Sequence, residues 1–472
     1  MDAAELGRAA GSRPVGDCVE GWRVEHLTTD SRAARAGSVF VALVGENFDG
    51  NDFIDDAISR GARAVVCSRG RALDRSGVVF IEVDDTTRAL GDIAAAHRRR
   101  FDIPVVAITG SNGKTTTKEL LRSILAATYG EDAVLATAGN FNNLVGLPLT
   151  LMHLATCHRV AVVEMGMNAP GEIARLTEIA APTHGLITCV APAHLEGLGT
   201  IEGIARAKGE LFAGLGRDAT AVVNLDDARV AGLVRELHHG PNLRYGNGGS
   251  VHVGAVDEVS LSCTRFELVF EDVDGARESG GAQRRIVELP LGGRHNTQNA
   301  VAAAACARSL GLTPDDIARG LAGAEPPPMR VAVETLANGV CVVNDAYNAN
   351  PHSFAAALAT LAEGAEGRAI VVLGEMLELG SQARMLHCQS GRDAAGIDPV
   401  LLCALGEHAV DVARGAVEAG MSADRVLVSE SHADIARAVA GVWESGDAVL
   451  VKGSRGVRME RVVEEMRRLA SA

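Results

Sequence analysis

A strand, a glycine-rich turn and a helix follow one another at residues 104–128, and they limit the fold more than any other part of the sequence. The apolar run PVVAIT ends at GSNG (110–113), and KTTTKELLRSILAAT continues with an apolar helical face. Gly-Lys-Thr at such a joint is typical of a loop that binds nucleotide phosphates. The usual spacing would place its first glycine at position 108, but this chain has Ile108 there and its first glycine is Gly110. The sequence therefore predicts an α/β nucleotide-binding domain with a shortened phosphate loop.

The chemistry of the turn follows from its position at the start of a helix. Backbone N–H groups there are unpaired and the helix dipole favours an anion, so they can bind phosphate oxygens. Lys114 would add a positive charge at the β- and γ-phosphates, and the Thr115 hydroxyl would reach Mg²⁺. A turn that merely joins strand and helix is the alternative. The expected nucleotide-binding residues are Gly110, Ser111, Asn112, Gly113, Lys114, Thr115 and Thr116.

Short β-branched runs alternate with helical stretches from about residue 100 onward, which is typical of parallel α/β sheets. VVAITG, VAVVEMG, LITCV and AVVNLDD are the clearest central strands, and the polar stretch 240–290 predicts an antiparallel appendage on their sheet. Three prolines in GAEPPPMR end this part, and VCVVNDAY, AIVVLGEM, VLLCALG, RVLVSES and AVLVKGS then predict a Rossmann-like doubly wound sheet. A chain of 472 residues agrees with three domains: a small α/β domain at 1–100, the central domain at 101–325 and a C-terminal domain at 326–472.

The charge balance limits the possible partners. The formal net charge is −15 and the chain has no long run of Lys and Arg, so neither nucleic acid nor an anionic membrane is an expected partner. The start, MDAAELGRAAGSRPVGD, has no apolar signal region, and no stretch approaches an uncharged membrane span. We therefore expect a cytoplasmic protein.

Polar residues stand where the central strands end. Glu164 closes VAVVE, His194 follows LITCVAPA, and Asp226 and Asp227 follow AVVNL. The carboxyl ends of parallel strands form the ligand crevice of such sheets, so these groups are expected to converge beside the loop. Glu164 and His194 are plausible Mg²⁺ ligands there, with a structural histidine as the alternative for His194. By composition alone, Lys208 in IEGIARAKGELF would be a lysine on the solvated face of a helix.

Four motifs, TGSNGKTTT, VVEMGMN, AHLEGLGTIEGIARAKGELF and GGRHNTQNAVAA, occur in the order typical of the Mur ligase family, which uses the shortened loop. The resemblance covers nearly the whole chain. TDSR with GSVFVALVGENFDGNDFI resembles the members that act late on the UDP-linked substrate, and NDAYNANPHS with LGEMLELG resembles the last of them. The resemblance implies an ATP-dependent ligase of peptidoglycan precursor synthesis, with a role in cell-wall biogenesis, cell shape and cell division. The implied reaction joins D-Ala-D-Ala to UDP-N-acetylmuramoyl-tripeptide through an acyl phosphate, on a monomer with two Mg²⁺ ions.

The resemblance also implies the metal ligands. Thr115, Glu164 and His194 would handle the Mg²⁺ ions, and Lys208 would be carbamylated. Carbamylation turns a cation into a carboxylate-like anion that can face Mg²⁺. The implied catalytic residues are Lys114, Lys208, His194 and Arg330.

Further roles are implied along the substrates. Asn296 and Asn299 would lie against adenine, with a helix N-cap as an alternative or additional role for Asn296. Arg330 would reach the γ-phosphate from the C-terminal domain, and Asp345 the ribose or its neighbourhood. Lys452, Ser454 and Arg455 in KGSRG are candidates for contact with D-alanine, or form only a helix-entry turn. The implied substrate residues are Ser31 and Arg32 at the UDP end, Asn140, Asn142 and Asn143 at the muramoyl peptide unless they are only a polar turn, and Asn348 and Asn350.

Two alternatives stay open at this point. The same chemistry could serve a diamino acid or a folate, although the absence of DNPR argues against the first and the TDSR unit against the second. From another class, the chain could be a nucleotide-binding regulator or simple phosphotransferase, in which ATP turnover would not depend on a dipeptide. Asn51 and Asn344 depart from the family's usual residues, which weakens any role for them.

Overall fold

Three β-sheets, each covered by helices, divide the chain in sequence order. The computed structural model describes residues 1–16, 21–192, 195–271 and 281–471. The sheets have four, nine and six strands. The predicted three-part α/β architecture is confirmed by this order, whereas the domain boundaries stay a prediction.

The first sheet is small and wholly parallel. Its four strands lie in chain order. Their apolar side chains form one core with the first and third helices and another with the second helix. The elements are α1 (Ala3–Ala9), β1 (Leu27–Thr28), β2 (Val39–Val41), α2 (Ile54–Ser59), β3 (Ala64–Ser68), β4 (Val79–Val83) and α3 (Thr86–Arg98).

The central sheet contains the strand that precedes the phosphate loop. This strand, β5 (Val105–Thr109), is fully buried and lies between two parallel neighbours, as expected for a β-branched run covered by helices on both faces. The parallel part is β5, β6 (Val134–Ala136), β7 (Val160–Glu164), β8 (His184–Ile187), β9 (Thr220–Asn224) and β10 (Asn242–Tyr245), with α4 (Lys114–Tyr129), α5 (Gly146–Leu151), α6 (Glu172–Ala180), α7 (Leu195–Leu198), α8 (Ile201–Ala213) and α9 (Ala228–Leu237) between the strands.

The predicted antiparallel appendage is also present. After β11 (Val251–Val259), which runs parallel to β10, the strands β12 (Thr264–Phe270) and β13 (Gln283–Leu289) pair antiparallel at the sheet edge. Two helices, α10 (His295–Ser309) and α11 (Pro314–Ala322), then pack against α4. The predicted strand LITCV is shorter than expected, because β8 ends at Ile187 and the chain turns there toward the loop.

The third sheet confirms the predicted doubly wound region. Its strand order is β14-β15-β19-β16-β17-β18, with only the edge strand β14 antiparallel. The elements are β14 (Ala332–Thr335), β15 (Cys341–Asp345), α12 (Pro351–Gly364), β16 (Ala369–Gly374), α13 (Ala383–Ala395), β17 (Leu401–Leu405), α14 (Ala409–Glu418), β18 (Val426–Ser429), α15 (His432–Ala440), β19 (Ala448–Lys452) and α16 (Glu460–Ala470).

None of the helices in the described ranges is both long and apolar enough to cross a membrane.

A buried arginine joins the first and central sheets. Arg98, at the end of α3, donates from Nε to the Ala180 carbonyl at 3.0 Å and from Nη1 to the Phe101 carbonyl at 2.6 Å. Its Nη2 lies within hydrogen-bond distance of the Ile103 and Ala181 carbonyls. Carbonyls at a helix C-terminus lack intrahelical partners, so this guanidinium caps α6 as well as the linker.

We expect Arg98→Ala to lower the free energy of unfolding by about 3 kcal/mol, because several buried carbonyls would lose a charged donor. Urea unfolding followed by circular dichroism measures the change. The exposed neighbour Arg100 supplies the control, since Arg100→Ala should shift stability by no more than about 0.5 kcal/mol. Equal losses in the two variants would contradict the capping role of Arg98.

Candidate active site

The phosphate loop leaves the carboxyl end of β5 and leads into α4. Gly110 and Gly113 have backbone φ angles of +149° and +80°, which residues other than glycine rarely adopt. A Cβ on Gly110 would lie 1.8 Å from Thr188 Oγ1, and one on Gly113 would lie 2.3 Å from Asn299 Oδ1. The two glycines are therefore needed both for the turn and for the close approach of neighbouring segments.

Side chains of the loop are held by local hydrogen bonds. Ser111 Oγ donates to the Ala191 carbonyl at 2.8 Å, and Lys114 Nζ donates to the Gly110 carbonyl at 2.7 Å. Burial lowers the pKa of Lys114, while the carboxylate of Glu164 acts in the opposite direction. The ammonium is thus folded over the loop, where phosphate groups would bind.

Glu164, at the end of β7, reaches the first turn of α4. Its Oε2 accepts a hydrogen bond from Thr115 Oγ1 at 2.9 Å, and its Oε1 accepts one from Asn142 Nδ2 at 2.8 Å. Glu164 is 2% exposed, so a carboxylate and a hydroxyl stand together in a buried position. Oxygen donors of this kind suit Mg²⁺. His194, the third predicted ligand, lies outside the described residues, and within them no cluster of three His, Cys, Asp or Glu side chains is suited to a metal ion.

Lys208 is buried on α8, not solvated as composition alone predicts. It is 2% exposed, and among the described residues no carboxylate pairs with its ammonium. Burial first, and then the ammonium of Lys114, hold the pKa of Lys208 well below its usual value. A neutral amine is the form of a lysine side chain that reacts with CO₂ to give a carbamate. The chain has only four lysines, Lys114, Lys118, Lys208 and Lys452, and each is buried or lines a cleft described below.

A first cleft of about 640 Å³ lies between the loop and the third sheet, a size that suits a nucleotide. Loop residues 111–116 form one wall, and Asp226, Asp227, Asn296, Asn299 and Asp345 line the cleft as well. The predicted nucleotide residues from three distant parts of the sequence are therefore brought together.

Three of the residues that line this cleft are already engaged in local structure. Asp227 caps α9 by accepting from the Arg229 and Val230 amides, and Asp226 accepts from the Asn247 amide. Asn296 does not cap α10, contrary to one interpretation of the sequence. The helix begins at His295 with Arg294 at the N-cap position, so Asn296 lies inside the first turn, and its Nδ2 donates to the Gly292 carbonyl at 2.7 Å.

A second cleft of about 460 Å³ adjoins the first and contains the residues expected at the peptide substrate. Asn140, Asn142 and Asn143 line one side, and Ser454 and Arg455 line the other, whereas Lys452 lines the first cleft. Five residues line both clefts: Ser111, Lys114, Arg330, Asn348 and Asn350. Two cations, Lys114 and Arg330, thus stand where the clefts meet.

The segment that carries Arg330 has an unusual backbone. Met329 and Val331, on either side of it, have φ angles of +56° and +52°, which are costly for residues other than glycine. The Arg330 guanidinium lies over the ring of Tyr347, 4.2 Å from its centre, and the Tyr347 amide donates to the Met329 carbonyl at 3.1 Å. Tyr347 received no role from the sequence, although it lies inside the NDAYNANPHS motif.

The structure does not bring the predicted UDP residues to either cleft. Arg32 is exposed and forms a paired hydrogen bond with Asp30, with Nε to Oδ1 at 2.9 Å and Nη2 to Oδ2 at 2.8 Å. That contact lowers the pKa of Asp30 to about 2. Ser31 is buried and donates to Asp56. Their assignment to the UDP end therefore stays a prediction.

His295 is a half-buried titratable group at the start of α10. Burial lowers its pKa to about 4, although the carboxylate of Asp345 acts in the opposite direction. An unfolded chain takes up a proton at His295 near pH 6.5, which the folded chain resists until about pH 4. The stability that neutral His295 supplies is thus complete above about pH 6.5 and is lost as the pH falls toward 4.

We expect His295→Asn to flatten the pH dependence of unfolding between about pH 6.5 and about pH 4, by up to about 3 kcal/mol. Urea unfolding of the two proteins at several pH values measures this. The exposed His239 gives a matched control, and His239→Asn should keep the wild-type slope. A slope unchanged by His295→Asn would show that other groups cause the acid instability.

Comparison with known proteins agrees with this arrangement. Three family models match in order: "Mur ligase family, catalytic domain" at residues 23–98, "Mur ligase middle domain" at 108–307, and "Mur ligase, glutamate ligase domain" at 329–455. The chain belongs to the Mur ligase family.

Individual proteins of known name or structure are similar to this chain over nearly its whole length. The UDP-N-acetylmuramoyl-tripeptide--D-alanyl-D-alanine ligase of Escherichia coli (strain K12) is 37% identical over 452 residues, 94% of each chain. A crystal structure of MurF from Acinetobacter baumannii superposes with a TM-score of 0.89 at 31% identity, covering 99% of each chain. MurF ligase from Thermotoga maritima in complex with ADP has a TM-score of 0.82 at 30% identity, covering 96% of this chain and 99% of that one.

Proposed function

We propose that this chain is an ATP-dependent ligase that joins D-Ala-D-Ala to UDP-N-acetylmuramoyl-tripeptide in cytoplasmic peptidoglycan precursor synthesis. The observation that carries the proposal is the pair of clefts that meet at Lys114 and Arg330, one at the phosphate loop and one at the asparagines of 140–143. The names of the similar proteins supply the substrates, and the ADP complex of one of them supports the use of ATP.

The chemistry requires activation of a carboxylate. The terminal carboxylate of the tripeptide attacks the γ-phosphorus of ATP in the proposed reaction, giving an acyl phosphate and ADP. The amine of D-Ala-D-Ala then attacks the acyl carbon, loses a proton, and phosphate leaves from the tetrahedral intermediate as the amide forms. A carboxylate and a triphosphate repel each other, and Lys114 and Arg330 lie where they can offset that repulsion.

Magnesium fits the residues present. Thr115 and Glu164 offer a hydroxyl and a buried carboxylate in contact with each other, and Lys208, if carbamylated, would add an anionic group in place of a repelling cation. We propose that these residues, together with His194, hold two Mg²⁺ ions, which would neutralise charge on the phosphates when bound. The protein's own residues position the substrates and exclude water from the site.

Other residue roles in the proposal rest on the resemblance to the Mur ligase family, and those of Ser31 and Arg32 rest on it alone. Asn296 and Asn299 bind adenine, Asp345 lies toward the ribose, and Ser31 and Arg32 bind the UDP end. We propose a cytoplasmic monomer divided at 1–100, 101–325 and 326–472, because ATP and a UDP-linked substrate are cytoplasmic and each sheet has its own core.

Phosphate release tests the proposal. Purified protein with Mg-ATP and UDP-N-acetylmuramoyl-tripeptide is assayed with and without D-Ala-D-Ala, and the pentapeptide product is measured by mass spectrometry. We expect release that requires both substrates, with one product per phosphate. Release that is indifferent to the dipeptide would favour a phosphotransferase or another acceptor.

A further inference from the structure

Two asparagine side chains join the tip of the phosphate loop to the third domain. Asn350 Nδ2 donates to Asn112 Oδ1 at 2.7 Å, and Asn112 Nδ2 lies 3.4 Å from Asn350 Oδ1. The same Nδ2 lies 3.2 Å from His352 Nδ1. Asn350 is buried and Asn112 half-buried, so the contacts between the two amides are partly shielded from water, whereas the contact with His352 is exposed.

Asn350 uses both ends of its amide. Its Oδ1 accepts from the Ser353 amide at 2.9 Å and so caps α12, while its Nδ2 reaches the loop. A serine at this position could cap the helix but is too short to reach Asn112. An aspartate could cap it but would have no N–H to donate and would add negative charge beside the phosphate site. The two contacts together therefore call for asparagine.

The segment 347–350 also holds in place the residues that lie where the two clefts meet. Lys452 Nζ donates to the Asn348 carbonyl at 2.9 Å, and Ser454 Oγ donates to the Ala349 carbonyl at 3.4 Å. The ring of Tyr347, in the same segment, packs against the guanidinium of Arg330. A contact that fixes Asn350 at the loop thus fixes the distance of Arg330 and Asn348 from the loop as well.

We propose that Asn112 and Asn350 form a latch that holds the third domain against the phosphate loop during phosphoryl transfer. In this role both are positioning residues, and the contact of Asn350 is with the protein and not with the peptide substrate. The inference rests on the proposed function, because it assigns the latch to the ligation step.

Asn350→Ser separates the latch from the helix cap, since serine is a good N-cap. We expect Asn350→Ser and Asn112→Ala each to lower kcat about ten-fold through the loss of one partly buried hydrogen bond. The KM for D-Ala-D-Ala should change by no more than about two-fold, and the double variant should be no slower than the slower single variant, because both changes remove the same contact. Steady-state ligation kinetics of the four proteins measure this.

Stability supplies the matched control. Asn350→Ser should keep the wild-type melting temperature, whereas Asn350→Ala should lower it because the cap of α12 is lost too. Additive losses in the double variant, or an unchanged kcat in Asn350→Ser, would overturn the latch. A raised KM for D-Ala-D-Ala at unchanged kcat would assign Asn350 to the substrate and overturn it equally. Wild-type ligation is measured alongside, so that a failure of the proposed function is distinguished from a failure of the latch.

Discussion

Replacing Lys208 by alanine is expected to lower kcat by about 10³-fold, the scale seen when a principal charge-stabilising group is removed from a phosphoryl-transfer site. The side chain is buried, its pKa is held well below the usual value, and Lys114 lies near enough to contribute to that shift. Burying an unpaired ammonium costs free energy. A carbamate at the same position would instead be an anion that could face Mg²⁺. Ligation assays on the purified variant measure the loss.

Chemical rescue distinguishes a carbamate from a lysine that only fills space. Short-chain carboxylates such as formate or acetate should restore part of the activity of Lys208→Ala, because they replace the missing anion in the cavity left by the side chain. The same salts should leave the wild type unchanged, and chloride at equal ionic strength controls for screening. Wild-type activity in Lys208→Ala would show that the lysine has no part in the reaction.

Arg330→Ala is expected to lower kcat by about 10²- to 10³-fold while ATP binding stays nearly intact. The guanidinium lines both clefts, and no carboxylate among the described residues pairs with it, so its charge is available to the transferred phosphoryl group. Most of the first cleft comes from the loop and its neighbours, which explains why binding should survive. Turnover gives kcat, and calorimetric titration with a non-hydrolysable ATP analogue gives the affinity.

Two variants control this prediction. Arg330→Lys keeps a charge but loses the planar group over Tyr347, and it should be intermediate. Arg467 is an exposed arginine paired with Glu334 outside both clefts, and Arg467→Ala should turn over like the wild type. Unchanged turnover in Arg330→Ala would remove Arg330 from the proposed mechanism.

The pattern of the sequence predicted most of the fold, because helix and strand periodicity depends on residues that are neighbours in the chain. The strands of the parallel sheets, the phosphate loop and the antiparallel appendage are confirmed on this basis. Errors fell at element ends, as for LITCV and for Asn296, where turns toward distant segments decide the boundary. The family resemblance, confirmed by the comparisons, supplied the candidate site residues that no local pattern identifies.

By itself, the sequence determined the alternation of strands and helices, the glycines of the loop and the placement of Glu164 at a strand end. Only the tertiary structure decided that Lys208 is buried near Lys114, that Arg330 lies over Tyr347 where two clefts meet, and that Asn350 holds Asn112. The physical reason is distance along the chain. Lys114 and Lys208 lie on different helices of the central domain, and Asn112 and Asn350 lie in parts of the chain with different sheets. Such contacts depend on how distant segments pack, which no local run of residues encodes.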